Sequence, residues 1–221
     1  MRKINKTPET ILSSIYVQWV GEFEVNATPH SKSYTYYVDV AMNLYKCQLG
    51  VCAYTERKIC PNELYLQENW QVGRHILSED VEYNSKDHEG ELDHFNPSGK
   101  DLKYWDWNNL FMIDSKVNAL KSNLPVVEYL KPDLEDYSPE IYFDYDEKTN
   151  RFRPNTDIED KKLIAEIQYM IDKILHLNHG MLRNDRSDFI NIIRDKKKRG
   201  EEYKIDRFFT AVKLTLGLEP Q

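Results

Sequence analysis

The chain has 221 residues, 40% of them hydrophobic and 30% charged, enough to bury a real core in one large domain. No apolar run approaches a membrane span or a signal-peptide core, so the composition reads as a soluble, cytoplasmic protein. A formal net charge of -7 excludes a protein that coats nucleic acid through bulk attraction, and any contact with DNA must therefore be local.

Residues 1 to 9 are polar and expected to fray, whereas Ile11 to Val25 is apolar enough to dock as either a helix or a strand. Ala27-Thr28-Pro29-His30-Ser31 is a connector. From Tyr34 to Leu49 the residues Tyr37, Ala41, Leu44 and Gln48 recur at helical spacing, and Gly50 ends that helix. Cys52 to Cys60 reads as a turn or hairpin. The three cysteines, Cys47, Cys52 and Cys60, are odd in number and close together, which points to reduced thiols rather than a disulfide framework. A mixed zinc site from Cys52, Cys60 and His75 lacks regular ligand spacing. Leu64-Tyr65-Leu66 and Trp70 to Ile76 have strand character. Ser78 to Gly90 is an acidic, polar connection suited to a mobile loop at the mouth of a site, with His88 in it as an exposed bystander.

The next stretch concentrates the chemistry. Glu91 to Phe95 reads as a short strand stopped by Asn96-Pro97-Ser98-Gly99, and Trp107 to Ile113 as a second strand. Asp114 or Ser115 can then cap a helix running through Asn118 to Lys121. Strand, loop, strand and helix bring the end of the first strand opposite the first turns of the helix. Asp93 and Asn118 would there share one cation, their hard oxygens suiting Mg²⁺ or Mn²⁺. His94 beside them is placed to act as a base. Lys121, one turn beyond Asn118, is a candidate phosphate contact.

Leu124-Pro125 closes that helix. Ile141 to Tyr145 and Arg151 to Arg153 flank Asp146 to Asn150 as a β-hairpin, with Arg151 and Arg153 on one face, either toward DNA or paired with nearby acids. Thr156 or Asp157 caps a helix whose stripe runs from Leu163 to Leu175; further helices span Met181 to Lys197 and Tyr203 to Leu216. Arg183 and Arg186, like the run Lys196 to Arg199, are either solvated surface or support for a phosphate.

Taken together these residues resemble the HNH (ββα-metal) endonucleases, most closely the HNH effectors of Septu- and retron-type bacterial anti-phage systems. The stretches that carry the likeness are Leu49 to Glu56 with its Cys-Ala-Tyr, Asp93-His94-Phe95-Asn96-Pro97, Asn109-Leu110, Asp114 to Asn118, and the later Pro139 to Pro154. The resemblance covers residues 35 to 190. It implies an α+β fold whose ββα-metal core, residues 47 to 123, is embedded in a mainly helical single domain of residues 1 to 221, with the hairpin and helical C-terminal part at 139 to 221. It also implies hydrolysis of DNA phosphodiester bonds, with catalytic residues Asp93, His94, Asn109 and Asn118. One Mg²⁺ or Mn²⁺ would sit on Asp93 and Asn118, Lys121, Arg151 and Arg153 would meet nucleic acid, and an ATPase would be the partner protein in phage defence.

Many members of that family hold a structural zinc with two Cys-x-x-Cys pairs. This chain keeps Cys52 but has Thr55, Asp114 and Val117 at the other places, too few thiolates for such a site. Packing of Trp105, Trp107 and Phe111 is expected to hold the core instead. Two rival readings stand beside the DNA nuclease: a non-catalytic module binding nucleic acid or a partner through the same scaffold, and an RNA-cleaving toxin.

Overall fold

Apolar stripes of 3.6-residue period fold as helices in this chain, and its short alternating runs pair as antiparallel hairpins, giving an α+β architecture. The computed structural model describes residues 1–23, 36–76, 87–99 and 104–218. In chain order these form α1 (Ser14–Phe23), α2 (Tyr37–Gln48), the hairpin β1 (Trp70–Gln71) with β2 (Arg74–His75), then β3 (Gly90–His94), β4 (Leu110–Asp114) and α3 (Ser115–Lys121). The one-turn α4 (Pro139–Tyr142) leads into the hairpin β5 (Phe143–Asp146) and β6 (Arg151–Pro154). It is followed by α5 (Lys161–Tyr169) with a π-helical turn at Met170–Ile174, α6 (Gly180–Arg199) and α7 (Phe209–Leu216). No helix among the described residues is long and apolar enough to cross a membrane.

The centre of the core is α2 against β4. Val40, Ala41, Leu44 and Tyr45 are buried, as are all five residues of β4. A strand sealed on both sides must satisfy its outer backbone edge, and Gln48 does so for Met112. Its amide nitrogen donates to the Met112 carbonyl at 2.7 Å and its amide oxygen accepts from the Met112 N–H at 2.9 Å. Immediately after Gln48 the chain reverses through Leu49 and Gly50, both at positive φ. A Cβ on Gly50 would lie 2.5 Å from the Cys60 carbonyl, so only glycine lets the 51–60 turn fold back this closely. Trp105, Trp107 and Phe111 are buried in the same core.

Several sequence-based expectations need correction. Residues 1 to 9 do not fray: Met1 and Ile4 are buried, and Ile4 N–H donates to the Pro132 carbonyl at 2.8 Å. The strand expected from Trp107 begins only at Leu110, because Asp106 accepts from Asn108 N–H and winds Trp107–Asn109 into a 3₁₀ turn. Leu64 ends a 3₁₀ turn at Asn62–Leu64 and a second such turn, Gln67–Asn69, precedes Trp70, leaving two-residue strands on either side of Val72 and Gly73. The first C-terminal helix is capped by Asp160, not by Thr156 or Asp157. The last starts at Phe209, since Phe208 takes a left-handed conformation and its N–H is spent on the Glu56 carbonyl. The connector at 27–31, the start of the helix expected from Tyr34, and residues 78–86 of the acidic connection lie outside the described residues.

Candidate functional site

Antiparallel pairing sets Asp93 opposite Phe111 and His94 opposite Leu110, so both polar residues lie at the far end of a hairpin whose other end is fixed at Gly90 and Asp114. Gly90 is required there. The Tyr45 hydroxyl lies 2.1 Å from where a Cβ would stand, and the same hydroxyl hydrogen-bonds His88 Nδ1 at 3.0 Å. His88 is thus buried beside the start of β3, not the exposed bystander expected from the polarity of its loop.

Asp114 closes β4 and caps α3 in one step, its carboxylate accepting from Lys116 N–H at 2.9 Å. Side chains repeat every two residues along a strand and meet again after three or four along a helix, so one face of β3 can be read against one face of α3. Two rungs result. Asn118 donates its side-chain N–H to Glu91 at 2.9 Å, and one turn later the Lys121 ammonium reaches Asp93 Oδ1 at 3.0 Å. Lys121 also donates to the His94 carbonyl at 3.1 Å.

Asp93 is held a second time, by the Tyr54 hydroxyl, which donates to its Oδ2 at 2.8 Å. Tyr54 is fully buried, and burial together with the negative charge of Asp93 pushes its phenol well above the usual range, so it keeps its proton. His94 has its Nε2 2.9 Å from the Tyr104 carbonyl. A carbonyl only accepts, hence Nε2 carries the hydrogen and the lone pair of the neutral ring is on Nδ1. Asn109 clasps the turn beyond β3: its side chain accepts from Asn96 N–H at 2.8 Å and donates to the Asn96 carbonyl at 2.9 Å, while its own carbonyl accepts from Phe95 N–H.

Asp93, His94 and Asn118 line one cavity of about 220 Å³, together with Ser122 and Asn123. The other expected contacts lie outside this cavity. Lys121, read as a phosphate contact, is fully buried and its ammonium faces inward to Asp93. Arg151 and Arg153 are exposed on β6, and Arg153 lies 3.8 Å from Asp144 across the hairpin. Arg186 cannot support a phosphate, because it is buried under that hairpin and donates to the Leu177 and Asn150 carbonyls and to Tyr145.

Asp93, Asn118 and His94 are the side chains here that could hold a hard divalent cation. A carboxylate, a carboxamide oxygen and an imidazole in one cavity are suitable donors. Against them stands the positive charge of Lys121 on the same carboxylate. Among the described residues no group of three or more His, Cys, Asp or Glu side chains converges as a ready cage. At the four places that the family resemblance gives to zinc, the chain makes other links. Burial raises the Cys52 thiol above its ordinary value and its sulfur accepts from Thr55 N–H, while Arg57 forms ion pairs with both Asp114 and Glu89.

Comparison with protein-family models, with curated proteins and with solved structures finds no match. The functional reading thus rests on the chemistry of this site. Sequence reasoning missed Tyr54 and Glu91 as parts of it, and Tyr104 as the partner of His94. Tyr54 stood in the quoted Cys-Ala-Tyr stretch, but nothing local to residues 52–56 signals a partner 39 positions away.

Proposed function

We propose that the chain is a metal-dependent HNH-type endonuclease that hydrolyses phosphodiester bonds in DNA and works in the cytoplasm. The observation that carries this reading is that Asp93, His94 and Asn118 line the same polar cavity at the loop-joined end of the β3–β4 hairpin, beside the helix that follows it. Mg²⁺ or Mn²⁺, held by Asp93 and the carboxamide oxygen of Asn118, would supply Lewis-acid stabilisation of charge on the phosphate and the departing oxygen. His94 takes the proton of the attacking water on Nδ1. Its Nε2–H to the Tyr104 carbonyl fixes that tautomer and stabilises the imidazolium that forms. Such a base contributes on the order of 10²- to 10⁴-fold. Asn109 keeps the strand end in place, so that the imidazole meets the water in a fixed orientation.

Plasmid nicking in Mg²⁺ or Mn²⁺, with and without chelator, tests the reading with wild type and His94→Ala. Metal-dependent nicking that His94→Ala loses is the expected result, and intact plasmid in every lane refutes it. A specific observation favours a second reading, the non-catalytic binding module: Asp93 is engaged on both oxygens by groups of the protein itself. That module would retain oligonucleotide without cutting it, and the same assay on RNA separates the toxin. Phage defence beside an ATPase, as the resemblance implies, predicts an ATPase that co-purifies with the chain.

A further inference from the structure

We propose that Lys121 occupies the cationic place at Asp93 in the free protein, so that a divalent ion binds there only in competition with this ammonium. The inference rests on the nuclease reading, since it concerns the same carboxylate. Lys121 has no exposed surface, stands 3.0 Å from Asp93 Oδ1 and 3.1 Å from the His94 carbonyl, and is joined by Tyr54 on Oδ2. Asp93 is itself buried, and a buried carboxylate needs a positive or hydrogen-bonding partner to stay ionised. Lys121 meets that need before any metal arrives.

Adding a dication to the same carboxylate places two positive centres on one side chain in a poorly solvated corner. Glu91, the other carboxylate of the ladder, is already bonded by Asn118. Repulsion between the two cations therefore weakens metal binding in the free protein, and a phosphodiester brings the negative charge that relieves it. Lys121 acts as a positioning residue that keeps Asp93 charged and correctly turned while making metal occupancy depend on substrate.

The sign of one measurement separates this from a structural role. Mn²⁺ affinity is read by electron paramagnetic resonance on the full chain without nucleic acid, for wild type, Lys121→Gln and Lys121→Met. Glutamine keeps a hydrogen bond to Asp93 without the charge, and methionine keeps the length and suits burial, so the pair guards against one variant failing to fold. Loss of the competing charge is expected to tighten Mn²⁺ binding by about tenfold or more. Adding Asp93→Asn to Lys121→Gln is expected to abolish the gain. Equal or weaker binding in the folded Lys121 variants overturns the inference and leaves the nuclease reading standing, because that is what a lysine needed only to hold the strand end would give. Absence of Mn²⁺ binding in all of them overturns both.

Discussion

Tyr54 donates its hydroxyl hydrogen to Asp93 Oδ2 at 2.8 Å, so the carboxylate of the candidate site is held by the 52–56 turn as well as by α3. The link ties the site to the turn that follows α2. Tyr54→Phe removes the donor while keeping the ring, and Lys121 still pairs with Asp93. The variant is expected to fold and to lose about 1 to 2 kcal/mol of stability in urea unfolding. No loss at all would mean that the hydroxyl contributes nothing to holding Asp93.

Asn109 controls a different coordinate, the direction in which the chain leaves β3 after His94. Both of its side-chain bonds go to the backbone of Asn96. Asn109→Ala is expected to cost about 1 kcal/mol of stability but to reduce nicking far more than that, since orientation of the base is what the clasp secures. Asn109→Asp retains the acceptor and should fall between wild type and alanine in single-turnover rate. Equal rates for all three proteins would separate Asn109 from the chemistry.

Lys6 carries the clearest dependence of stability on pH. It is buried beside Trp107 and Phe111, and burial lowers its pKa to about 8 although Asp133, 3.1 Å away, pulls the other way. Between pH 8 and its ordinary value of 10.5 the unfolded chain holds this proton and the folded protein does not. The unfolded state then binds more protons, so this residue makes stability rise with pH through that window; the contribution is complete above 10.5 and lost as pH falls through about 8. Lys6→Met removes the slope. Urea titrations at several pH values should therefore show wild type gaining on the variant as the solution becomes more alkaline.

Arg186 is the anchor of the C-terminal part. Buried on α6, it donates to two carbonyls and a tyrosine hydroxyl and lies over the rings of Tyr145 and Phe152, with no carboxylate among its hydrogen-bond partners. Burial lowers its pKa accordingly. Arg186→Met leaves the Leu177 and Asn150 carbonyls without this donor, and a loss of about 2 to 4 kcal/mol is expected in denaturant unfolding. A near-neutral substitution would show that water replaces the guanidinium at little cost.

The buried thiols give a chemical check on the 50–60 turn. Burial pushes Cys60 up to about 12 and raises Cys52 as well, so both are thiols rather than reactive thiolates at neutral pH. Modification by a thiol reagent at pH 8 should be slow for both in the native protein and fast in urea. Rapid native labelling mapped to either residue by mass spectrometry would contradict the packing described.

Local pattern made much of this architecture readable. Pro97 and Gly99 stop one strand, Asp114 caps the helix that follows the next, and the stripe from Leu163 to Leu175 winds as helix with a π turn at its end. These depend on neighbours within a few positions, and so does the grouping of Asp93 with His94 on one strand. Burial was harder to read. Loop polarity suggested an exposed His88 and helix position a Lys121 that meets phosphate, yet both are buried, because the partners that receive them, Tyr45 and Asp93, come from distant segments.

Turn chemistry and side-chain periodicity act over a few residues, so the order of strand, strand and helix, and the acid, imidazole and carboxamide within it, are already present in the local pattern. That the acid is already paired with a lysine and a tyrosine emerges from the folded chain alone. That pairing depends on which helix turn and which loop pack over the strand, a consequence of long-range burial that no local pattern encodes.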